Sequence, residues 1–506
     1  MGHNYILAYD LGTTGNKAVV VDDECRVVAS AFVAYQTYFP FAKAVEQDPW
    51  DWWQSVREAT RHLLAESNIN THHILGISFS GQMMGCVPVT RDATPIGRAL
   101  IWADMRGGSQ ASRLVTHLGA DALYRVLGNR VNASYSAAKM MWIHEHEPER
   151  FGNTYKFLQP KDFVVAQMTG CFVTDYSDAC GTNLFDITNL KWVDSLVTAA
   201  GLSSEILPDL AASTDIVGTL SVEAAAELGL IHGIPVVIGG GDGACAAAGA
   251  GAVCEGYTYQ YLGSSSWIGT ASHEPFLDDR ARIFNWTHVV PGLYAPTGTM
   301  QAAGASVQWL KSVFMNAPSY GQTDFDIMDE AASQSPVAAG GLIFLPYLLG
   351  ERSPIWDANA RGAFIGLKMH HSGEDVVRAV LEGVALNMKG ILDAFTTRIN
   401  VEEIALIGGG AKSRLWAQIF SDVYGYSLQI PRVLDEATAI GAAVTGGVGV
   451  GLFSDFGVIQ NAIEHDFSVT PQRDNHRIYQ ELQLTYEAAY RALTTTFLEL
   501  SELGSQ

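Results

Sequence analysis

No run of about eighteen apolar residues occurs anywhere in the chain, so it offers no membrane-spanning helix. Cysteine is scarce. The six in 506 residues are Cys25, Cys86, Cys171, Cys180, Cys245 and Cys254, and none stands in C-x-x-C spacing. So sparse and unpaired a set reads as buried free thiols in a reducing compartment. Residues 1–9 run straight into a strand pattern without the cationic-then-apolar signature of a secretory signal, so the expected location is the cytoplasm. Positive charge is short as well: 31 Lys and Arg against 53 Asp and Glu, a net charge of −22. So acidic a surface argues against nucleic acid or an anionic membrane as partner. Any bound phosphate must then be held locally, by backbone N–H groups, a few cations or a metal ion. With 48% hydrophobic and 17% charged residues the chain reads as compact and folded, and its length calls for two or three domains.

What is present gathers around residues 236–249. Val236, Val237 and Ile238 read as the end of a buried strand. Gly239, Gly240 and Gly241 then permit a tight turn. Asp242 follows, ahead of the small residues Gly243–Ala248, which suit a helix packed closely on a sheet. A carboxylate at that helix N-terminus is either a cap or a reactive group open to a ligand.

Upstream, Tyr5–Tyr9 and Ala18–Val21 are strands joined by Asp10-Leu11-Gly12-Thr13-Thr14-Gly15-Asn16-Lys17. The hairpin tip carries glycine, hydroxyls and a lysine. It is either an ordinary turn or a cradle for phosphate oxygens. It lacks the spacing of a Walker loop. Asp48-Pro49 caps and opens a helix running to about Glu66, on which Trp50, Trp52 and Trp53 read as packing. The strand Ile74–Ser80 ends in Gly81-Gln82-Met83-Met84-Gly85. Gln82 is a plausible ligand position there, with Met83 and Met84 core by default. In Trp102-Ala103-Asp104-Met105-Arg106 the two charges either pair with each other or join Trp102 in gripping a sugar. Residues 111–128 and 137–146 read as helices.

The second half restarts near Tyr257. Tyr261-Leu262-Gly263-Ser264-Ser265-Ser266 matches Asp10-Leu11-Gly12-Thr13-Thr14-Gly15, and Leu406–Gly410 matches Val237–Gly241. The chain thus reads as two related α/β halves, 1–250 and 251–506. Gly12 to Gly241 covers about 229 positions and Gly263 to Gly410 about 147, so the first half carries roughly 80 extra residues, expected near 100–200 as a substrate-shaping insertion. Two such tips facing across a cleft would grip a phosphate chain from both sides. Further on, Met300–Trp309 and Gly408–Ser413 lead into helices through small residues, the second into Arg414–Tyr424. Thr438–Val444 suits tight helix packing. Glu351-Arg352-Ser353-Pro354 reads as a structural ion-pair loop. The tail, Arg473–Leu503, is helical and either packs back on its own chain or meets a partner.

Taken together these stretches resemble the FGGY family of carbohydrate kinases, most closely its xylulose kinases. The matching pieces include Asp10–Thr14, Gly81–Met83, Trp102 with Asp104 and Arg106, and Ser177-Asp178-Ala179 with Gly181-Thr182. They continue with Gly240–Asp242, Leu262–Ser265, Ala303–Ser306, Glu351–Pro354 and Gly409–Ser413. The resemblance implies two actin-like, ribonuclease-H-type lobes around a central ATP and sugar cleft. It implies ATP with Mg²⁺, Asp242 as catalytic base, and Asp10 and Asp242 at the metal. Sugar contacts would fall to Gln82, Met83, Met84, Trp102, Asp104, Arg106 and Asp242. Nucleotide contacts would fall to Gly12, Thr13, Thr14, Lys17, Gly263, Ser264, Ser265, Gly304, Gln308, Gly409, Gly410, Ala411 and Arg414. Homodimers are common among such kinases. One departure stands out: the xylulose kinases usually carry His after Gly-Gln-Met, where this chain has Met84, which makes no strong hydrogen bond. The expected reaction is phosphorylation of D-xylulose to xylulose 5-phosphate. The alternatives are another ketose or polyol, or an actin- or chaperone-like ATP-driven binding protein.

Overall fold

The computed structural model of the chain describes residues 3–67, 69–314, 324–432 and 436–503. The first lobe opens with an antiparallel meander, β1 (Tyr5–Leu11), β2 (Gly15–Asp22) and β3 (Val27–Ala34). Alternation along β1 and β2 feeds two cores, as the two-residue repeat of a strand requires. Leu7, Tyr9, Leu11, Ala18 and Val20 point one way, while Ile6, Ala8, Val19 and Val21 point the other. Helix α1 (Pro49–Glu66) covers the first face. Asp48 caps it by accepting the Trp50 N–H at 3.0 Å, and Pro49 takes the position where no N–H is needed. Strand β4 (Ile74–Gly81) then pairs parallel to β1.

An excursion follows before the sheet resumes. Helices α2 (Gly108–Leu118) and α3 (Ala120–Leu127) replace the single helix expected over 111–128. The break falls at Gly119, whose φ of 83° ends one helix and begins the next. Helix α4 (Ser136–His146) packs with them over a separate core that includes Leu114, Leu127, Met140 and Ile143. Helices α5 (Pro160–Thr169) and α6 (Tyr176–Cys180) lead back. The sheet closes with β5 (Ile216–Thr219), β6 (Pro235–Val237) and β7 (Gly240–Gly241), giving the order β5-β6-β4-β1-β2-β3 with β7 also on β4. Helix α7 (Asp242–Gly249) leaves from its end.

The second lobe repeats this plan: β8 (Thr258–Leu262), β9 (Ser266–Thr270), β10 (Phe284–Thr287), β11 (Tyr294–Met300), α8 (Gly304–Phe314), α9 (Gly373–Thr396), β12 (Glu403–Ile407), α10 (Arg414–Tyr424), β13 (Ser427–Pro431), α11 (Ala437–Gly449) and β14 (His465–Val469). Its sheet runs β10-β11-β9-β8-β12-β13-β14. In both sheets a hairpin strand pairs parallel to a second strand and that to a third: β1, β4 and β6 in one, β8, β12 and β13 in the other. This corrects one register of the sequence repeat. Leu406–Gly410 ends the strand beside β8, so its counterpart is Gly81-Gln82 after β4, and the counterpart of α7 is α11.

Those two helices join the lobes. A Cβ on Gly249 would stand 1.8 Å from the Ala437 carbonyl oxygen, and one on Gly441 would stand 2.0 Å from that of Cys245. The backbones of α7 and α11 therefore touch, which only glycine allows. The tail helix α12 (Arg473–Leu503) packs back on its own chain. The Tyr479 hydroxyl donates to Glu382 Oε1 at 2.6 Å, and that of Tyr486 meets Tyr347 Oη at 3.1 Å. All six cysteines are free. Cys254 is exposed and Cys171 half-buried, so the buried-thiol expectation fits only the other four. Among the described residues no helix is long and apolar enough to cross a membrane.

Candidate active site

The first hairpin tip is a turn closed by the Gly12 N–H on the Gly15 carbonyl at 3.0 Å. Its carbonyls are all occupied from below. Gly12 O accepts from Tyr35 Oη and from Gln82 Nε2 at 3.3 Å; Thr13 O accepts from Gln47 Nε2 at 2.7 Å; Thr14 O accepts the Tyr35 N–H at 3.3 Å. With its acceptors committed, the tip presents N–H and hydroxyl donors, the face an anion needs. The second tip is closed by the Gly263 N–H on Ser265 O at 2.9 Å. The start of α8 is laced to it: the Gly304 N–H donates to Gly263 O at 2.9 Å, and a Cβ on Gly304 would stand 2.5 Å from that oxygen.

Between the lobes lies a cleft of about 920 Å³. The first lobe contributes Met83, Met84, Trp102, Tyr135 and Asp242; the second contributes Ser265, Trp286, Gly409, Ala411 and Phe467. Asp242 is the first residue of α7, and Gly241 holds the cap position without any side-chain cap bond. The capping alternative for Asp242 is thereby removed. Burial, and next the charge of Asp10, push the Asp242 carboxyl up to about 7, against the pull of the Gly243 N–H. Asp10 and Gly240 flank Ser80 on neighbouring strands, which sets their Cα atoms about 10 Å apart, two inter-strand spacings.

Asp10 is raised by burial too, offset by Ser80 and Lys17, and its Oδ1 is buried without a hydrogen-bond partner. Lys17 faces Asp10 across the hairpin and lies 3.7 Å from Glu436 Oε1, at the start of α11. The orphaned Oδ1 of Asp10 fits a divalent cation, and a carboxylate completed by water and phosphate oxygens suits Mg²⁺. The same ion on Asp242 would draw its carboxyl back down from about 7.

The sugar-side expectations divide. Trp102 is 37% exposed, lines the cleft and donates from Nε1 to Thr13 Oγ1 at 2.9 Å. Met83 is buried, 5% exposed, and half-buried Met84 follows it; both line the cleft, and Met84 holds a φ of 62°. Gln82 is buried beneath the first tip, bonded to Gln47 Oε1 at 2.7 Å. Asp104 is fully buried, binding the Val45 N–H at 2.8 Å and Arg106, which also reaches Glu46 Oε1 at 2.6 Å. Gln82, Asp104 and Arg106 stand behind the wall of the cleft; Met105, between the latter two, lines it.

The nucleotide-side expectations divide too. Ser265, Gly409 and Ala411 line the cleft. Gly12, Thr13 and Thr14 form the first tip, Gly263 and Ser264 belong to the second, and Lys17 lies in β2; none of the six lines the cleft. Gly304 and Gly410 pack against the second tip, a Cβ on Gly410 meeting Leu262 Cγ at 2.5 Å. Gln308 is exposed on α8. Arg414 lies with its guanidinium 4.0 Å from the centre of the Phe467 ring, itself a lining residue.

Sequence reasoning missed several lining residues. Asn132, Ser134 and Tyr135 precede α4 in the excursion, and Tyr135 stacks on Trp286 of β10 at 6.3 Å between centroids. Glu351 is not half of an ion pair. Its Oε1 accepts the Gln301 and Arg352 N–H groups at 2.9 and 2.8 Å, and Oε2 accepts from Asn387 Nδ2 at 2.9 Å. Burial pushes its carboxyl up to about 8. Among the described residues it has no ion-pair partner.

Known proteins match the chain over nearly its whole length. The model of the FGGY family of carbohydrate kinases, N-terminal domain, matches residues 5–249, and that of the C-terminal domain matches residues 259–450. A xylulose kinase of Bacillus subtilis strain 168 is 34% identical, over 96% of each chain. The ligand-bound xylulose kinase structure from Lactobacillus acidophilus superposes with a TM-score of 0.91 at 26% identity, over 98% of this chain and all of that one. The gluconate kinase structure from the same organism gives the same TM-score and identity, over 99% of this chain and all of the other.

Proposed function

This chain belongs to the FGGY family of carbohydrate kinases, and we propose that its acceptor is a small open-chain sugar with a terminal hydroxyl, D-xylulose first among the candidates. Its activity is ATP-dependent sugar phosphorylation, and the reading here adds the acceptor and the residues. The observation that carries it is the Asp242 carboxyl, on the cleft wall beside the first hairpin tip and pushed up to about 7. A carboxylate tuned near neutral pH is suited to take a proton.

Asp242 takes the proton of the acceptor's primary hydroxyl as that oxygen's bond to phosphorus forms and the bond to the leaving diphosphate breaks. Asp10 would hold Mg²⁺, which would supply charge neutralisation on the phosphate oxygens and leave the Asp242 carboxyl to the proton. The donors of both hairpin tips and Lys17 act on the same charge. Bare backbone at Gly408 and Gly409, with Ala411 and Phe467, gives the nucleotide an apolar bed. Trp102, Tyr135 and Trp286 give the sugar flat apolar faces. Closing the lobes would exclude water as a competing acceptor.

A second acceptor class is favoured by Met84. Its thioether lines the cleft where the xylulose kinases usually place His, so another ketose or a polyol fits as well. An ATP-driven binding protein is not favoured. Homodimer formation belongs to this reading through the resemblance, and light scattering of the full chain tests it. The direct test of the reading is coupled ADP release over a panel of ketoses, polyols and aldonates, with Asp242→Asn beside the parent. The variant should bind ATP and sugar and lose roughly 10²–10⁴-fold in kcat. Near-parental turnover would remove Asp242 as the base.

A further inference from the structure

Behind the cleft wall lies a fully buried ionic cluster that the phosphoryl-transfer scheme leaves unused. Lys161 Nζ lies 2.8 Å from Asp162 Oδ1, 2.9 Å from Asp175 Oδ1 and 3.1 Å from Asp178 Oδ2, and all four side chains are inaccessible to solvent. Burial opposes the charge on Lys161, but the three carboxylates outweigh it, and the ammonium is held well above its usual range. A buried cluster of this kind is costly to break, because any group removed leaves another charge unpaired.

The cluster is tied to the turn that carries Asp242. Asp175 Oδ2 accepts the Ser177 hydroxyl at 2.5 Å and the Ser213 hydroxyl at 2.8 Å. Ser177 Oγ in turn accepts the Gly241 N–H at 2.8 Å, and the Ser213 carbonyl accepts the Gly239 N–H at 3.1 Å. Both ends of the three-glycine turn thus hang from serines fixed to one carboxylate oxygen. The turn itself has no side chain with which to resist movement. It is glycine by necessity: a Cβ on Gly239, at φ 70°, would stand 1.9 Å from the Phe79 carbonyl oxygen. Its stiffness has to come from outside.

We propose that Ser177, held by Asp175 and through it by Lys161, is a positioning residue for phosphoryl transfer: by accepting the Gly241 N–H it fixes the turn from which Asp242 reaches the acceptor hydroxyl. This rests on the reading of Asp242 as the base. The physical reason is that a displaced general base costs rate steeply, since a misplacement of about 1 Å can cost about 10²-fold. Loss of the Ser177 hydroxyl removes the one side-chain anchor that Gly241 has among the described residues and takes the acceptor from its buried N–H.

The test is steady-state kinetics on the full chain with the best acceptor of the panel, comparing the parent, Ser177→Ala, Ser177→Cys, Ser213→Ala and Asp242→Asn, with thermal melts of each. Ser177→Ala should lose at least about tenfold in kcat, while KM for acceptor and for ATP stays within about twofold. Ser177→Cys keeps the volume but offers a weaker acceptor, and its kcat should fall between the two. Ser213→Ala loses a bond to the same carboxylate but keeps the backbone link to Gly239, so its kcat should exceed that of Ser177→Ala at least about fivefold. Parental kcat in Ser177→Ala with only a lowered melting temperature would overturn the proposal, as would equal losses in the two serine-to-alanine variants. If Ser177→Ala gives no soluble protein, Ser177→Cys decides: reduced kcat at unchanged KM supports positioning, and parental kcat overturns it. An active Asp242→Asn would instead defeat the underlying reading, so the two failures are distinguishable.

Discussion

Met84 is one of two non-glycine residues of the cleft wall held at positive φ, the other being Trp356 at 53°. The Met84 φ of 62° lies in the left-handed region, which costs a non-glycine residue about 1–2 kcal/mol. The buried Lys139 donates from Nζ to the Met84 carbonyl at 2.7 Å and keeps the conformation. Histidine tolerates this region better than methionine does. Met84→His should therefore fold, leave KM for ATP unchanged and alter the ranking of acceptors by kcat/KM; an unaltered ranking would mean that position 84 does not read the sugar. Glu351 gives a prediction in pH. Its folded value, raised from 4.5 to about 8, means that below pH 4.5 the folded and unfolded chains carry the same proton there. As pH climbs towards 8 the unfolded chain ionises first, and stability drains away at up to about 1.4 kcal/mol per pH unit. Glu351→Gln should gain melting temperature relative to the parent at pH 8 over its difference at pH 4.5. An equal difference at both values would show that Glu351 ionises freely in the folded protein.

Elements whose signal is local could be read from sequence. Both hairpin tips were legible because glycine and hydroxyl residues interrupt apolar alternation within a few positions. Helix α1 was legible from Asp48-Pro49, and Asp242 from the three glycines before it. Orientation was not legible, because the partner comes from far along the chain. Gln82 looked ligand-facing, but Gln47 and the first tip turn it inward. Asp104 and Arg106 looked equally able to serve a sugar, but Glu46 and the Val45 N–H claim them. The repeat slipped by one strand because three glycines after a strand look alike wherever the strand stands in its sheet. Tyr135 and Trp286 carried no motif that separates a cleft wall from a core, and Glu351 stood in a motif that reads as an ion-pair loop. The contact between α7 and α11 is the element most exposed to test. Gly441→Ala forces a Cβ to within 2.0 Å of the Cys245 carbonyl oxygen, and overpacking of a close contact costs about 1–3 kcal/mol or more. Its melting temperature should fall by several degrees and its kcat should drop with it; a parental melt would show that the two helices can part.

The whole molecule is one plan used twice, with the two copies fastened through a pair of glycine-rich helices and a cleft left between them. Each copy lends a donor-rich tip, and the first adds a carboxyl and a helical excursion whose Tyr135 lines the cleft. With a net charge of −22, the proposed phosphate site would rest on those tips, Lys17 and a cation. The measurement that tests this most directly is transfer of label from γ-³²P-ATP in the presence and absence of each acceptor. The account predicts acceptor-dependent formation of a sugar phosphate ester on a primary hydroxyl, lost in Asp242→Asn. Label released only as inorganic phosphate, at a rate indifferent to every acceptor, would contradict it.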